Sequence, residues 1–166
     1  MKILSKRFLI GYVERRDCLI RISTEVTCGL LVLMDIALYE EDGKPVSVIS
    51  ISKRQNLSMK YLEQILMVLR RANLVRNLKG WKGGYIIAKP AKQITLRTVI
   101  DALDRTILAD VTVQELIDDV ALKEIINHSL WNPMTSYLRR FCDSITLFDL
   151  IEQYHLFPKN TKKTMH

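Results

Sequence analysis

The stretch 58–85 combines a helical pattern with a hairpin pattern, and this combination restricts the fold more than any other feature. Ser58 is a suitable N-cap, because its hydroxyl can accept a hydrogen bond from an unpaired amide of the first helical turn. One side of the following segment is apolar at helical spacing, with Leu62, Ile65, Leu66 and Leu69. The opposite side carries Lys60, Glu63, Gln64, Met67 and Arg71. The pattern predicts an amphipathic helix whose outer face can hydrogen-bond base edges or phosphates.

The second half of this stretch changes to short strand-like runs at 74–76 and 85–87. The loop between them carries three glycines, Gly80, Gly83 and Gly84, which permit a turn at positive φ. Lys79 and Lys82 make the loop basic. A polar-faced helix followed by a basic hairpin is typical of a winged helix, in which the helix enters a major groove and the hairpin reaches the neighbouring minor groove or backbone. We therefore predict a mainly α fold with a small β-hairpin.

The positive charge of the chain is concentrated on the same unit. The formal net charge is +7. Between Lys53 and Arg97 there are eleven basic residues against Glu63 alone, whereas from Arg105 onward seven basic residues face eight acidic ones. A charge run by itself indicates a solvated face. Because this run coincides with the helix and hairpin, it favours a polyanionic partner, and double-stranded DNA fits the geometry.

Other classes of protein lack support in the sequence. Cys18, Cys28 and Cys142 are widely spaced and odd in number, which argues against a disulfide framework and fits a reducing cytoplasm. No apolar run reaches membrane-spanning length. The signatures of zinc proteases, serine hydrolases and phosphate-binding loops are also missing. We therefore expect a cytoplasmic protein that is neither an enzyme nor bound to a membrane.

Residues 1–20 precede the predicted domain as an extension that is either an ordered extra strand or helix or a flexible basic arm. A first helix, capped by Ser23 or Thr24, is predicted to run to about Tyr39. Ser47 caps a second helix, and Asn56 suits the tight corner before the recognition helix because asparagine tolerates the left-handed conformation. With a helix from Thr95 to Asp104, these elements give a winged helix-turn-helix domain at 21–104.

Residues 105–157 are predicted to contain a connecting helical region and a dimerisation helix, followed by a disordered tail at 158–166. Asn132 and Pro133 resemble an N-cap and a first-turn proline. One face of the helix that they would start carries Met134, Tyr137, Leu138, Phe141 and Ile145. A second copy of the chain can cover this face in a two-fold dimer, or the helix can pack back on its own domain. We expect the dimer.

Two segments of the chain resemble each other, Ile-Thr-Leu at 94–96 and Ile-Thr-Leu at 145–147. Each is followed by an apolar and polar pattern that is compatible with a helix. We interpret the repeat as shared helix-start chemistry, with threonine as the cap, rather than as duplication.

The chain resembles the Rrf2 family of bacterial winged-helix transcription regulators. The resemblance rests on Arg-Ile-Ser-Thr at 21–24, Ser-Met-Lys-Tyr-Leu-Glu-Gln-Ile-Leu at 58–66, Lys-Gly-Trp-Lys-Gly-Gly-Tyr at 79–85, Leu-Trp at 130–131 and the two Ile-Thr-Leu segments. It implies a sequence-specific DNA-binding regulator, more often a repressor, that binds a palindromic operator as a homodimer. It also implies DNA contacts from Lys60, Tyr61, Glu63 and Gln64 and from the wing-tip residues Lys79 and Gly80. Together with Ser58, Arg71, Trp81 and Lys82, these form the predicted interface.

The chain departs from the family pattern in the first helix, in the wing and at the cluster cysteines. The first helix reads Glu-Val-Thr-Cys-Gly-Leu at 25–30, where many members have a basic residue and a tyrosine. Lys79 stands where arginine is common, which keeps the charge but loses the planar fork. Cluster-binding members place three cysteines before the dimer helix, whereas this chain has none between Cys28 and Cys142. His128 lies where some members supply a histidine ligand, but clusters are held mainly by thiolates. We predict no iron–sulfur cluster, metal or other cofactor.

Several alternatives remain open at this stage. Cys142 is interpreted as a small buried hydrophobic residue, with a redox sensor as the alternative, and His128 as a surface residue, with a metal sensor as the alternative. Trp81 either wedges against DNA or packs across its own hairpin. The scaffold could also serve as a protein-interaction module. An unidentified effector or protein partner is compatible with each of these functions.

Overall fold

The computed structural model describes residues 23–41, 43–80, 83–109 and 119–157. The predicted N-terminal extension at 1–20 and tail at 158–166 lie outside these residues. The helices are α1 (Thr24–Tyr39), α2 (Val48–Gln55), α3 (Met59–Arg71), α4 (Leu96–Leu103), α5 (Val120–Ile126), α6 (Asn132–Ser144) and α7 (Leu147–Leu156). The strands are β1 (Val75–Leu78) and β2 (Gly84–Ile87); a short 3₁₀ turn spans Ala91–Gln93 and a π-helical turn spans Asn127–Trp131.

Serine hydroxyls cap the first three helices as the sequence predicts. Ser23 accepts a hydrogen bond from the backbone amide of Val26, so Thr24 is the first helical residue rather than the cap. Ser47 and Ser58 accept in the same way at the starts of α2 and α3. Each side chain satisfies an amide that has no partner within its own helix.

The corner between α2 and α3 contains a single left-handed residue, Asn56, with φ 52° and ψ 43°. Leu57 donates its amide to the carbonyl oxygen of Ser52 at 3.2 Å, and the Ser52 hydroxyl donates to the carbonyl oxygen of Leu57 at 2.6 Å. These two bonds close the turn that carries the chain directly into Ser58 and α3. The predicted helix-turn-helix corner is confirmed.

The wing is an antiparallel hairpin in which Val75 pairs with Ile87 and Leu78 pairs with Gly84. Val46 extends this small sheet, because its amide and carbonyl both bond to Tyr85 at 2.9 Å. Gly84 permits the close approach, since a Cβ atom there would lie 2.3 Å from the carbonyl oxygen of Val46. Nothing in the local sequence predicted this pairing of Val46 with the wing.

The main hydrophobic core lies between α1, the stripe of α3, the wing and α4. Its fully covered side chains include Leu33 and Ile36 of α1, and it also contains Leu147 of α7. The winged domain therefore takes part of its core from the segment 105–157, beyond the boundary that the sequence suggested at 104. A second cluster, formed by Val26, Ile100, Leu108 and Cys142 with Leu138 against it, attaches α6 to α1 and α4.

The two similar segments noted in the sequence pair with each other. Leu147 donates its amide to the carbonyl oxygen of Ile94, and Leu96 donates to that of Ile145, both at 2.8 Å. Thr95 caps α4, while Thr146 caps α7 through a capping box with Asp149. The helix-start interpretation is confirmed, and the pairing returns α7 to the winged domain.

Two details of the predicted C-terminal region are wrong. Asn132 does not cap a new helix, because the chain is already helical and the amide of Asn132 bonds to the carbonyl oxygen of Asn127 across the π-helical turn. A wide turn before Pro133 relieves the clash that proline causes within a regular helix. Ile145 does not continue α6 either, since it is extended and bonds to α4. Of the predicted connecting helical region, the structure describes α5, and residues 110–118 lie outside the described ranges.

Candidate nucleic-acid interface

The orientation of α3 follows from its four buried side chains, Leu62, Ile65, Leu66 and Leu69, all at most 3% exposed. Because these residues occupy one stripe, the helix presents its opposite side to solvent. The exposed residues there are Ser58, Met59, Lys60, Glu63, Gln64, Met67, Arg70 and Arg71. The outer face predicted from the helical pattern is therefore confirmed as accessible to solvent.

Tyr61 turns toward the core instead. It packs as a half-buried side chain against the main core. Its hydroxyl is buried without a hydrogen-bond partner of normal geometry among the described residues, and the Cys28 thiol of α1 is its neighbour. Burial raises the pKa of Tyr61, and interaction with Cys28 raises it further. The Tyr61 hydroxyl does not share the outer face with Lys60 and Gln64, although the resemblance places this residue among the DNA contacts.

The wing tip is exposed at Lys79 and Gly80. Gly80 has a φ of 131°, which favours glycine, and its carbonyl accepts the amide of Gly83 at 2.9 Å. This bond brings Gly83 back to Gly80, with Lys79 exposed beside it. Trp81 and Lys82, which were also predicted to contact DNA, lie outside the described residues.

An open cleft separates the C-terminal end of α3 from the first strand of the wing. Its polar lining consists of Arg70, Asn73, Arg76, Asn77 and Lys79. None of the described residues that line it is acidic. Three cations with amide groups between them suit a phosphate group. Sequence reasoning counted Arg70 and Arg76 in the basic run but did not place them at the interface, because their convergence depends on how the hairpin returns past the helix.

The surface is therefore cationic with one acidic position. Glu63 is exposed on the outer face of α3, and no other acidic residue occurs between Lys53 and Arg97. A carboxylate is unfavourable near phosphates but can accept a hydrogen bond from a cytosine amino group in a groove. Its position in the middle of α3 is suited to reading a base rather than to binding the backbone.

The described residues do not provide a ligand set for a metal or cluster. No group of three His, Cys, Asp or Glu side chains among them could hold a metal ion. Cys28 and Cys142 are both buried, and His128 is exposed in the π-helical turn. Burial raises the pKa of the Cys142 thiol, and the neighbouring charge of Asp143 adds to the rise. Iron–sulfur clusters need several converging thiolates, so these residues do not fit one.

Only some of the predicted dimer residues lie on the outer face of α6. Met134, Tyr137 and Phe141 are exposed, with Tyr137 at 69%. Leu138 instead packs toward the second cluster, and Ile145 lies beyond the helix. Further exposed apolar residues precede α6 along the same helical run, namely Val120, Leu122, Ile125 and Leu130. This apolar surface is not covered by any described part of the chain.

Comparison with known proteins decides the family. A model of the Rrf2 family, described as an iron-dependent transcriptional regulator, matches residues 22–153. The chain belongs to the Rrf2 family. The HTH-type transcriptional regulator IscR of Yersinia pseudotuberculosis is 32% identical over 131 residues, which are 79% of each chain. The resemblance inferred from the motifs is thereby confirmed.

Solved structures of Rrf2 relatives share the fold. CymR, the global cysteine regulator of B. subtilis, has a TM-score of 0.66 and 32% identity, covering 80% of this chain and 97% of that one. IscR of T. potens has a TM-score of 0.64 and 29% identity, covering 88% and 93%. The winged-helix fold class is confirmed, and this Rrf2 protein is a DNA-binding transcription regulator rather than an enzyme. None of the helices in the described ranges is long and apolar enough to cross a lipid bilayer.

Proposed function

We propose that this Rrf2 protein represses transcription in the bacterial cytoplasm by binding a palindromic DNA operator as a homodimer. The supporting observation is the continuous surface formed by the outer face of α3, the cationic cleft and the wing tip. A surface with this order of elements can follow a major groove, the phosphate strand beside it and the next minor groove. Repression then requires nothing beyond occupancy of the operator.

Within this surface, base readout and backbone binding fall to different side chains. Glu63 accepts from a cytosine amino group, and Gln64 pairs with adenine. Ser58, Lys60 and Arg71 surround these two positions on the helix and bind phosphates. The first group sets sequence preference, whereas the second supplies affinity that falls with salt.

The cleft adds two phosphate-binding residues to this proposal. When a helix occupies a major groove and its wing occupies the adjacent minor groove, the strand between the grooves must pass between the two elements. Arg70 lies on the helix side of this passage, and Arg76 and Lys79 lie on the wing side. We infer that they hold the phosphates of that strand.

The exposed apolar surface of α5, the π-helical turn and α6 supports a homodimer. Tyr137, Met134 and Phe141 form part of it, and a two-fold axis allows the same patch to cover itself. Two recognition helices related by that axis read half-sites about 34 Å apart, one turn of DNA. The symmetry of the operator then follows from the symmetry of the protein.

Selection of bound fragments from a genomic DNA library tests the proposal. We expect recovery of one inverted repeat. The Glu63→Ala variant is then expected to lose discrimination between that repeat and scrambled DNA while it keeps its affinity for scrambled DNA. An unchanged ratio of the two affinities would remove Glu63 from base readout, and sequence-blind binding by the wild type would contradict the operator.

The apolar surface also supports a second candidate, a protein-interaction module built on the winged scaffold. It differs from the first in its partner, because a different protein would cover Tyr137 and its neighbours. A monomer in solution that binds no selected DNA sequence would favour this candidate. A redox or metal response through Cys142 or His128 remains a separate hypothesis, which the burial of Cys142 disfavours.

A further inference from the structure

A fully buried carboxylate connects the first two helices of the winged domain. The Asp35 side chain is 0% exposed and accepts three hydrogen bonds from the last turn of α2. Arg54 binds it with both arms of its guanidinium, Nε to Oδ2 at 2.9 Å and Nη2 to Oδ1 at 2.6 Å. Gln55 donates its amide Nε2 to Oδ2 at 2.7 Å. The Arg54 guanidinium also stacks on the Tyr39 ring, 4.0 Å from its centre.

Stability alone does not account for this arrangement. Removing the Asp35 carboxylate from water is costly, while Arg54 keeps 28% of its side chain exposed. Replacement of an ion pair with a buried member by apolar side chains of similar size is often neutral or stabilising. The pair does constrain geometry, because a bidentate guanidinium–carboxylate contact restricts both the distance between its partners and their relative rotation. The Arg54–Asp35 contact therefore fixes how the end of α2 sits on α1.

Apolar packing is poorly able to fix α2 by itself. The helix has eight residues; Ile51 is its one fully buried side chain, and Val48 is partly buried against the same core. Both apolar contacts lie in the first half of the helix, and hydrophobic contact is not directional, so they constrain the rotation of its last turn only weakly. The three bonds to Asp35 come from that last turn and attach it directly to α1.

The end of α2 in turn determines where the recognition helix starts. Asn56 follows Gln55 directly, and the reciprocal bonds between Ser52 and Leu57 close the corner. Ser58 then caps α3. Because every residue between the Asp35 network and α3 is held in this corner, a rotation of the last turn of α2 is passed on to the outer face of α3.

We propose that Asp35 and Arg54 are positioning residues for DNA recognition, which hold α3 at the angle that base readout needs. This inference rests on the proposed function, because it presumes that α3 reads a DNA sequence. Neither side chain is required to touch DNA. Their role is to make the position of Glu63 and Gln64 reproducible.

The test compares two affinities in each variant, one for the best fragment selected by the wild type and one for scrambled DNA of the same length. A double variant, Asp35→Leu with Arg54→Met, replaces the pair by apolar groups and is expected to unfold at a temperature close to that of the wild type. Its ratio of selected to scrambled affinity is expected to fall about tenfold, as for one misplaced base contact. A loss of folded protein alone would lower both affinities equally and leave the ratio unchanged.

The Arg54→Lys variant is the matched control, because it keeps the positive charge beside Asp35 but loses the bidentate contact. We expect a smaller decrease in the ratio, and this variant decides the matter if the double variant fails to fold. A wild-type ratio in folded protein would overturn the positioning role. If the wild type itself prefers no sequence, the proposed function fails first, and this inference fails with it.

Discussion

The Cys142 thiol is closed off from solvent at 3% exposure, between α6 and the cluster that includes Val26 and Ile100. Thiolates react with alkylating and oxidising agents far faster than thiols. Burial raises the pKa of Cys142, so the thiolate fraction near neutral pH is smaller than that of a free cysteine. Two effects, access and ionisation, therefore act in the same direction at this residue.

We predict that Cys142 in the native protein is alkylated by iodoacetamide much more slowly than in denaturant. The measurement is a time course read by peptide mass spectrometry at a pH of about 8, where an ordinary thiol is partly ionised. The denatured chain gives the reference rate for the same residue. Equal rates in the two states would show an accessible, reactive thiol and would revive the redox-sensor hypothesis.

Arg76 allows the phosphate cleft to be tested at a single residue. We predict that Arg76→Gln weakens binding to selected and scrambled DNA by the same factor, because phosphates carry no sequence information. The slope of log affinity against log salt should decrease in magnitude by about one. Both quantities come from fluorescence anisotropy titrations at several salt concentrations.

Arg105→Gln is the control for this change in charge. Arg105 is exposed, and its Nε donates to the carbonyl oxygen of Asp101, outside the helix and wing unit. We expect its salt slope to match that of the wild type. A wild-type slope for Arg76→Gln as well would mean that no phosphate occupies the cleft.

At the scale of elements, the wing depends on backbone contact at its base. The carbonyl oxygen of Val46 lies where a side chain at position 84 would begin, and the Val46–Tyr85 pairing attaches the hairpin to the start of α2. The hairpin alone has two strands, which are marginally stable in water without further packing. Val46 therefore acts as a short third strand that stabilises the wing.

We predict that Gly84→Ala lowers the free energy of unfolding by roughly 1–3 kcal/mol, because the new Cβ forces Val46 away. It should also reduce DNA affinity. Chemical denaturation and DNA titration measure the two effects. Gly43→Ala is the comparison, since Gly43 has a positive φ but open space around it. We expect Gly43→Ala to affect stability with little effect on DNA binding. Unchanged stability and DNA affinity in Gly84→Ala would contradict the close approach of Val46 to position 84.

At the scale of the whole molecule, the apolar surface of α6 determines whether one or two winged domains act together. Tyr137 is the most exposed of the predicted dimer residues on α6. A charge buried without a partner at a subunit interface is unfavourable. We predict that Tyr137→Glu shifts the protein toward a monomer and weakens binding to an inverted repeat more than to a single half-site.

Sedimentation velocity reports the oligomeric state in this experiment. Gln153→Glu adds the same charge on the exposed side of α7 and should leave the state unchanged. A wild-type protein that is already monomeric would contradict the homodimer, whereas a variant that stays dimeric would place the interface elsewhere. A monomeric wild type would also favour the protein-interaction candidate.

Much of the fold and of the site could be predicted because the interactions that define them are local. Helix caps act within three residues, as Ser58 does on the amide of Tyr61, and the stripe of α3 repeats within two turns. The outer face then follows from the stripe by helical geometry alone. The sequence also revealed the left-handed corner at Asn56 for the same reason.

The remaining features join residues that are far apart in the chain. The predicted cap at Asn132 was wrong because a π-helical turn precedes Pro133. The spacing of apolar residues in the sequence does not reveal such a turn. Ile145 was assigned to α6 because its spacing fits, although it is extended and its carbonyl oxygen accepts a hydrogen bond from the amide of Leu96 in α4. The inward rotation of Tyr61 depends on space beside Cys28, which only the packing of α1 on α3 creates.

The sequence by itself thus predicted the winged helix and the polar face of the recognition helix, since each follows from residue types at short spacing. Its motifs also carried the resemblance to the Rrf2 family, which the comparisons then confirmed. Tertiary structure alone decided that Asp35 contacts Arg54, 19 positions away, and that Arg70 and Arg76 line one cleft. It also decided that α7 packs against the main hydrophobic core. The physical reason is that these contacts depend on how the helices pack against one another, and the relative position of two packed helices is set by all their side chains together.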